Sequence, residues 1–528
     1  MKSLLIFAIG LLIQSASAAT YYVATTGSDA AAGTVGAPWL TIQKAANTLT
    51  AGNNVIVAAG NYPEHVTTAA AGTAGNRITF TASGTVTMRG FTVNHAYTTI
   101  SGFTVDQHSD VSTPNNAAVV LGDNGDYAVV SGNTIKNTMY LVASDVVVGN
   151  TNPDTITSAG GGFTAAGFRA GVKVWVYRTA GVAAPANNAV GFLVDSVTDT
   201  VLTLDGAAAV TAEGPVTVLL TGAQNYGLFT GSGCTGATIS GNTFSDFGYR
   251  PILMQGSNHT FDGNIVEKVN GWDAIGFNGT GHVISDNWIR DSLTVKANYP
   301  SADVFAHWSP IDASNITISG NYVSDWAGAI NVDHLTTQGT NSNITYSRNV
   351  FYGNLGPIIV RMPNVTLENN TFVNVSNAAT SYVQAVDHPY YFDISKGGVS
   401  GGVIQNNIFV GCGNQATSGA SHGWYELQTG VTANYNLACG PSPGFVTKTG
   451  FSETNGINGG DPGFINISLP LGADGLPFTA DDGLRLASGS QAIGTGVGGA
   501  DLGAYDYEAA ASASVEVQNL NVTNLIIE

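Results

Sequence analysis

The chain has 528 residues, of which 67 are glycine and only 10% are charged. So much glycine beside abundant Asn, Thr, Val and Ile predicts strands and turns and excludes a mainly helical protein. Seventeen basic against thirty-six acidic residues give a net charge of -19 at pH 7, which argues against nucleic acid or an anionic membrane surface as partner.

The N-terminal stretch "MKSLLIFAIGLLIQSASA" has one Lys, an apolar run from Leu4 to Ile13 and a small-x-small Ala16-Ser17-Ala18 site. It reads as a secretory signal peptide over residues 1–18. The run is too short for a bilayer anchor, and no later stretch approaches the length required. The expectation is a soluble protein that is secreted: extracellular, on the cell surface or in the periplasm. The three cysteines, Cys234, Cys412 and Cys439, make no disulfide framework. Cys412 and Cys439 could bridge, but buried single thiols are the expected state.

Residues 19–142 read as an N-terminal cap and first turns of a repeat array. Near copies of one segment follow: "GATISGNTFSD" from 236, "GHVISDNWIRD" from 281, "NITISGNYVSD" from 315 and "NVTLENNTFVN" from 364. They align on Asn133, Asn242, Asn264, Asn287, Asn321, Asn349, Asn370 and Asn407, with the closest pairs 21 to 23 residues apart. Short strands at a period in the twenties, without helical patterning, predict an all-β parallel solenoid. The repeated Asn is expected to form a hydrogen-bonded ladder at one corner. Residues 143–222 break the period and read as a small inserted β module with an accessory role. The central solenoid, 223–440, should carry the groove, and 441–508 the last turns and a cap. Residues 509–528 are a linker and a terminal strand, "VEVQNLNVTNLIIE", that caps the solenoid or pairs with an unknown partner.

Aligning the strands before each Asn fixes their parity. Ile252, Ile275, Phe305, Ile330 and Ile358 form one inward row, and Met254, Phe277, His307, Val332 and Val360 another. His307 is thereby expected in the core. Leu253, Gly276, Ala306, Asn331 and Ile359 then face outward, followed by Gln255, Asn278, Trp308, Asp333 and Arg361. A flat indole amid amides, a carboxylate and a guanidinium suits a pyranose ring; a solvated face with an Asp–Arg pair is the plainer reading. Longer insertions, "TVKANYPSADVFAHW" and "SYVQAVDHPYYFDIS", are expected to wall the groove. Lys296, Arg250, Arg290 and Arg361 are its candidate cations.

"YYVATTGSDAAAGTVGAPWLTIQKAANTL", then "AGNNVIVAAGNYPEHV", and at the other end "DPGFINISLPLGADGLPFTADDGLRLASGSQAIGTG" resemble the first and closing segments of secreted right-handed parallel β-helix proteins of the pectate-lyase-like superfamily. With the Asn repeats the resemblance covers most of residues 20–508. It implies a right-handed parallel β-helix and a polysaccharide partner, and it leaves the reaction open, since the superfamily holds lyases, hydrolases, epimerases and adhesins. "NVDHL" and "VRMP" echo family-one pectate lyases, with the second Arg of that motif absent. "WDAIGFNG" lacks the Lys base of the family-nine enzymes.

β-Elimination needs a base and a positive group to stabilise the enolate-like intermediate. Arg361 and Lys296, with Asp333, are the candidate catalytic residues. Trp308, Asn278, Asn331, Gln255 and His334 are the candidate sugar-binding residues. Asp273, Asp303 and Asp333 could supply oxygens to Ca²⁺. "GADGLPFTADDG", with Asp474, Asp481 and Asp482, could be a calcium loop or a plain acidic turn. Two functions follow: a lyase on an acidic polysaccharide, or a non-catalytic glycan-binding or adhesin-type surface protein.

Overall fold

The structure is a computed structural model. It describes residues 18–106, 117–137, 140–178, 186–187, 190–206, 210–222, 226–247, 250–269, 273–292, 303–307, 313–326, 330–332, 343–353, 358–360, 363–375, 401–411, 432–439 and 453–508. Strands from successive turns pair in parallel into one continuous sheet that winds into a solenoid with three faces. The first face runs from Ala117–Leu121 through Ile252–Met254, Ile275–Phe277 and Phe305–His307 to Ile358–Val360. The second runs from Thr20–Val23 through the start of Ile78–Val93 and Thr98–Ser101 to Glu453–Thr454, and the third passes through Thr104–Asp106 to Ile457–Asn458. The parallel β-helix expected from the sequence is what the chain forms.

The repeated tripeptides encode the bend between the second and third faces. Gly241, Gly263, Asp286 and Gly320 sit at φ of 61°, 60°, 53° and 66°, a left-handed conformation that Gly and Asp tolerate. The Asn that follows each one turns into the core. Asn242 donates from N and Nδ2 to Asn264 Oδ1 at 2.9 and 3.0 Å, and Asn264 does the same to Asn287 at 2.9 and 3.1 Å. Every Asn of the sequence alignment is a rung, and Asn436 is a further one.

The N-terminal end of the core is covered by the helix Ile42–Ala46, which buries Ile42, Ala45 and Ala46. Its free N–H groups are capped by Thr41 Oγ1, which accepts from Lys44 N, and by the Glu64 carboxylate, which accepts from Ile42 N and Gln43 N. The insert is a closed six-stranded antiparallel barrel, Tyr140–Gly222. Its own core includes Val146, Ile156, Phe163, Val174 and Leu202. It leaves the solenoid between the third and first faces.

The strands end at Ile457–Asn458, and residues 460–508 run back along the outside of the third face. Leu484 and Ala504 pack on Trp288, Tyr322, Val350 and Val373. Arg348 pairs with Asp506 at 2.8 Å, and Asn369 Nδ2 donates to Asp501 O at 2.8 Å. Cys234 and Cys439 are free thiols, and burial pushes Cys234 up to about 12. Cys412 and the terminal segment 509–528 lie outside the described residues. Among the described residues no helix is long and apolar enough to cross a membrane.

Candidate functional site

Two residues before each first-face strand, successive turns place Arg250, Asp273 and Asp303 in a row. All three are buried, at 4%, 0% and 2% exposure. Arg250 Nη2 lies 3.0 Å from Asp273 Oδ2, and Asp303 N donates to Asp273 Oδ1 at 2.9 Å. The guanidinium stem crosses the outer side of Gly276, where a Cβ would come within 2.8 Å of Arg250 Cδ. Glycine there makes room for the ion pair.

Burial raises the Asp273 carboxyl above its ordinary range, Arg250 opposes the shift, and Asp303 adds to it. Both Asp273 oxygens are engaged, and among the described residues no group of three His, Cys, Asp or Glu side chains is placed to hold a metal. Asp333, the third expected ligand, lies outside the described residues.

The register fixed from sequence holds, but the row expected to face outward is covered, with Leu253 7% and Ala306 0% exposed. Leu253, Gly276, Ala306, Asn331 and Ile359 are in line across five turns. Ile252, Met254, Ile275, Phe277, Phe305 and His307 are fully buried. His307 is a core residue, its ring 6.2 Å from that of Phe277. Gln255 is half-buried and Asn278 is buried. Asn278 N donates to Met254 O at 2.8 Å, while its side-chain Oδ1 has no hydrogen-bond partner among the described residues. Trp308, Asp333, His334, Arg361 and Lys296 lie outside the described residues. Arg290 belongs to the third face, where it pairs with Glu267 at 2.7 Å and lies 3.7 Å over the Trp288 ring. It is not a cation of the first-face groove.

The right handed beta helix region family matches residues 217–390. No curated protein matches the chain in sequence. Among solved structures, pectate lyase Pel9A is 14% identical, with 93% of this chain and 97% of that chain covered and a TM-score of 0.42. A rhamnogalacturonan lyase is 12% identical, with 89% and 96% covered and a TM-score of 0.39. A complex of XylC with xylose is 14% identical, with 84% and 87% covered and a TM-score of 0.41. In fold, this is a right-handed parallel β-helix.

Two histidines escaped the sequence reading. At the corner of this β-helix between first and second faces, His259 and His282 stack with centroids 5.0 Å apart and planes 7° from parallel. Each Nδ1 accepts a backbone N–H, from Ala237 and His259 respectively. Each Nε2 therefore carries the proton and donates to a carbonyl, of Gln255 and Asn278. Burial, with His282 adding to it, lowers His259 to about 4. Both rings are structural and brace the two polar residues from behind. Their spacing of 23 residues, just before each second-face strand, was the available signal.

The acidic segment is a turn held by its own backbone. Asp474 Oδ1 accepts from Leu476 N, Asp481 Oδ2 from Ala473 N, and Asp482 Oδ2 from Phe478 N and the Tyr505 hydroxyl.

Proposed function

We propose that the chain is a secreted carbohydrate-active protein that binds an acidic polysaccharide along the first face and cleaves it by β-elimination. The polar row of the sequence alignment, Gln255, Asn278, Trp308, Asp333 and Arg361, carries the reading, because an indole amid amides, a carboxylate and a guanidinium suits a pyranose. In this reading Trp308 is the platform for a pyranose face, and Asn278, Asn331, Gln255 and His334 bind hydroxyls. Arg361 or Lys296 removes the proton α to the uronate carboxylate, or clamps that carboxylate, as the glycosidic oxygen leaves with the C–O electron pair. Asp333 orients the cation. No step is assigned to calcium.

The test is formation of unsaturated uronate products, followed by ultraviolet absorbance, from pectate, alginate and glycosaminoglycans with and without EDTA. Arg361→Ala should abolish turnover and leave the solenoid folded. Unsaturated product from none of these substrates, by a protein that nevertheless binds one, would establish the second reading, a non-catalytic glycan-binding surface protein. The Arg250–Asp273 ion pair favours that alternative, because it neutralises the described cation of the groove's central turns.

A further inference from the structure

The second face carries an array that the first-face reading does not use. From Thr79 through Thr99, Thr238, Thr317 and Thr345 to Thr432, eleven residues on successive turns align in one outward row without a register shift. Eight are threonine and three are valine, at Val129, Val283 and Val403. Two residues on along each strand, a second row begins at Thr81 and Ser101 and has hydroxyls at seven of its eleven positions. None of the twenty-two residues is buried.

Thr and Val share one shape, so the first row presents a γ-methyl at every turn and a hydroxyl at most. A merely solvated face has no need of such uniformity. The second row accepts Asp262, Glu368, Gln405 and Asn434, while in the first row threonine is the only polar residue from Thr79 on, with Asn54 in register one turn earlier. Among the described residues none of the eight Thr hydroxyls has a hydrogen-bond partner, and in the second row only Ser285 Oγ does, to Asp262 Oδ1. In a chain of net charge -19 the two rows hold only two charges, Asp262 and Glu368. The occupant they fit is uncharged and periodic.

We propose that the second face binds ice. Turns separated by ~4.8 Å and row spacing of ~6.7 Å along each strand lie close to the two oxygen repeats on the prism face of hexagonal ice. Methyls at that spacing seat in the lattice hollows, and the open hydroxyls join the water network. Neither row contains an aromatic residue, which separates this face from a sugar platform. The absence of large apolar side chains equally separates it from the core of a protein–protein interface.

The test is thermal hysteresis and ice-crystal shaping by the full chain, with Thr317→Lys and Thr345→Lys on the face and Val190→Lys on the barrel as control. The wild type and control should shape ice and hold a freezing gap. The two face variants should lose both while keeping their circular dichroism and melting temperature. A wild type that neither shapes ice nor shows hysteresis overturns the proposal, as does activity that survives both face variants. Sedimentation of the wild type with a microcrystalline polysaccharide, or self-association, abolished by the same variants and without ice activity, would assign the face to that other occupant.

Discussion

The Glu453 carboxylate closes the asparagine ladder: Oε1 lies 2.9 Å from Asn436 N and Oε2 3.0 Å from Asn436 Nδ2. Each rung donates toward the C-terminal end, as Asn133 does to Asn242 and Asn407 to Asn436. A one-way chain of amides must end on a group that only accepts, and a carboxylate meets that need. Glu453→Leu should lower unfolding stability by about 1–3 kcal/mol, because buried donors are left unpaired. Glu453→Gln retains one carbonyl acceptor and should cost less. Denaturant titration of both variants checks the order.

Within the ladder, Asn287 Oδ1 accepts from Asn264 N and Nδ2, while Asn287 Nδ2 serves Phe261 O and Asn321 Oδ1. Asn287→Leu orphans groups on both neighbouring turns and should cost about 2 kcal/mol or more. An unchanged melting temperature would refute the stacking.

The histidine stack gives stability a dependence on pH. Its folded-state value of about 4 at His259 lies below the ordinary 6.5, so the unfolded chain binds more protons between them. Stability contributed by His259 is complete above pH 6.5 and is lost as pH falls toward 4, by up to about 3 kcal/mol. The difference in unfolding free energy between wild type and His259→Asn should shrink across that window.

Arg250→Met leaves Asp273 buried without its guanidinium and should destabilise by about 3 kcal/mol. Arg250→Met combined with Asp273→Asn should recover much of the loss. A double-mutant cycle from denaturant melts measures the coupling, and additive losses would show that the two groups are independent.

Trp308→Ala should weaken glycan binding by about 1 kcal/mol or more if the indole is a sugar platform. Titration of the bound polysaccharide into wild type and variant checks this directly.

Strand parity, the corner bends and eight ladder rungs were legible in the sequence because each depends on residues within one turn of the chain. A left-handed φ favours Gly, Asn or Asp wherever it occurs, and alternate residues of a strand face opposite sides. Asn436 and Glu453 went unseen: no rung follows Asn436, and the closing acceptor is a different residue type.

What lies outside each face was decided only in three dimensions. Residues 460–508 cover the third face through partners such as Arg348 and Asp506, 158 positions apart, and no local pattern encodes that return. Asp273 carried the same sequence signal as a metal ligand. The arrival of Arg250 across Gly276, from the preceding turn, made it one half of a buried ion pair. Sequence sets which way a side chain points, and the tertiary fold sets what it meets, because burial and charge pairing are summed over neighbours that chain order does not name.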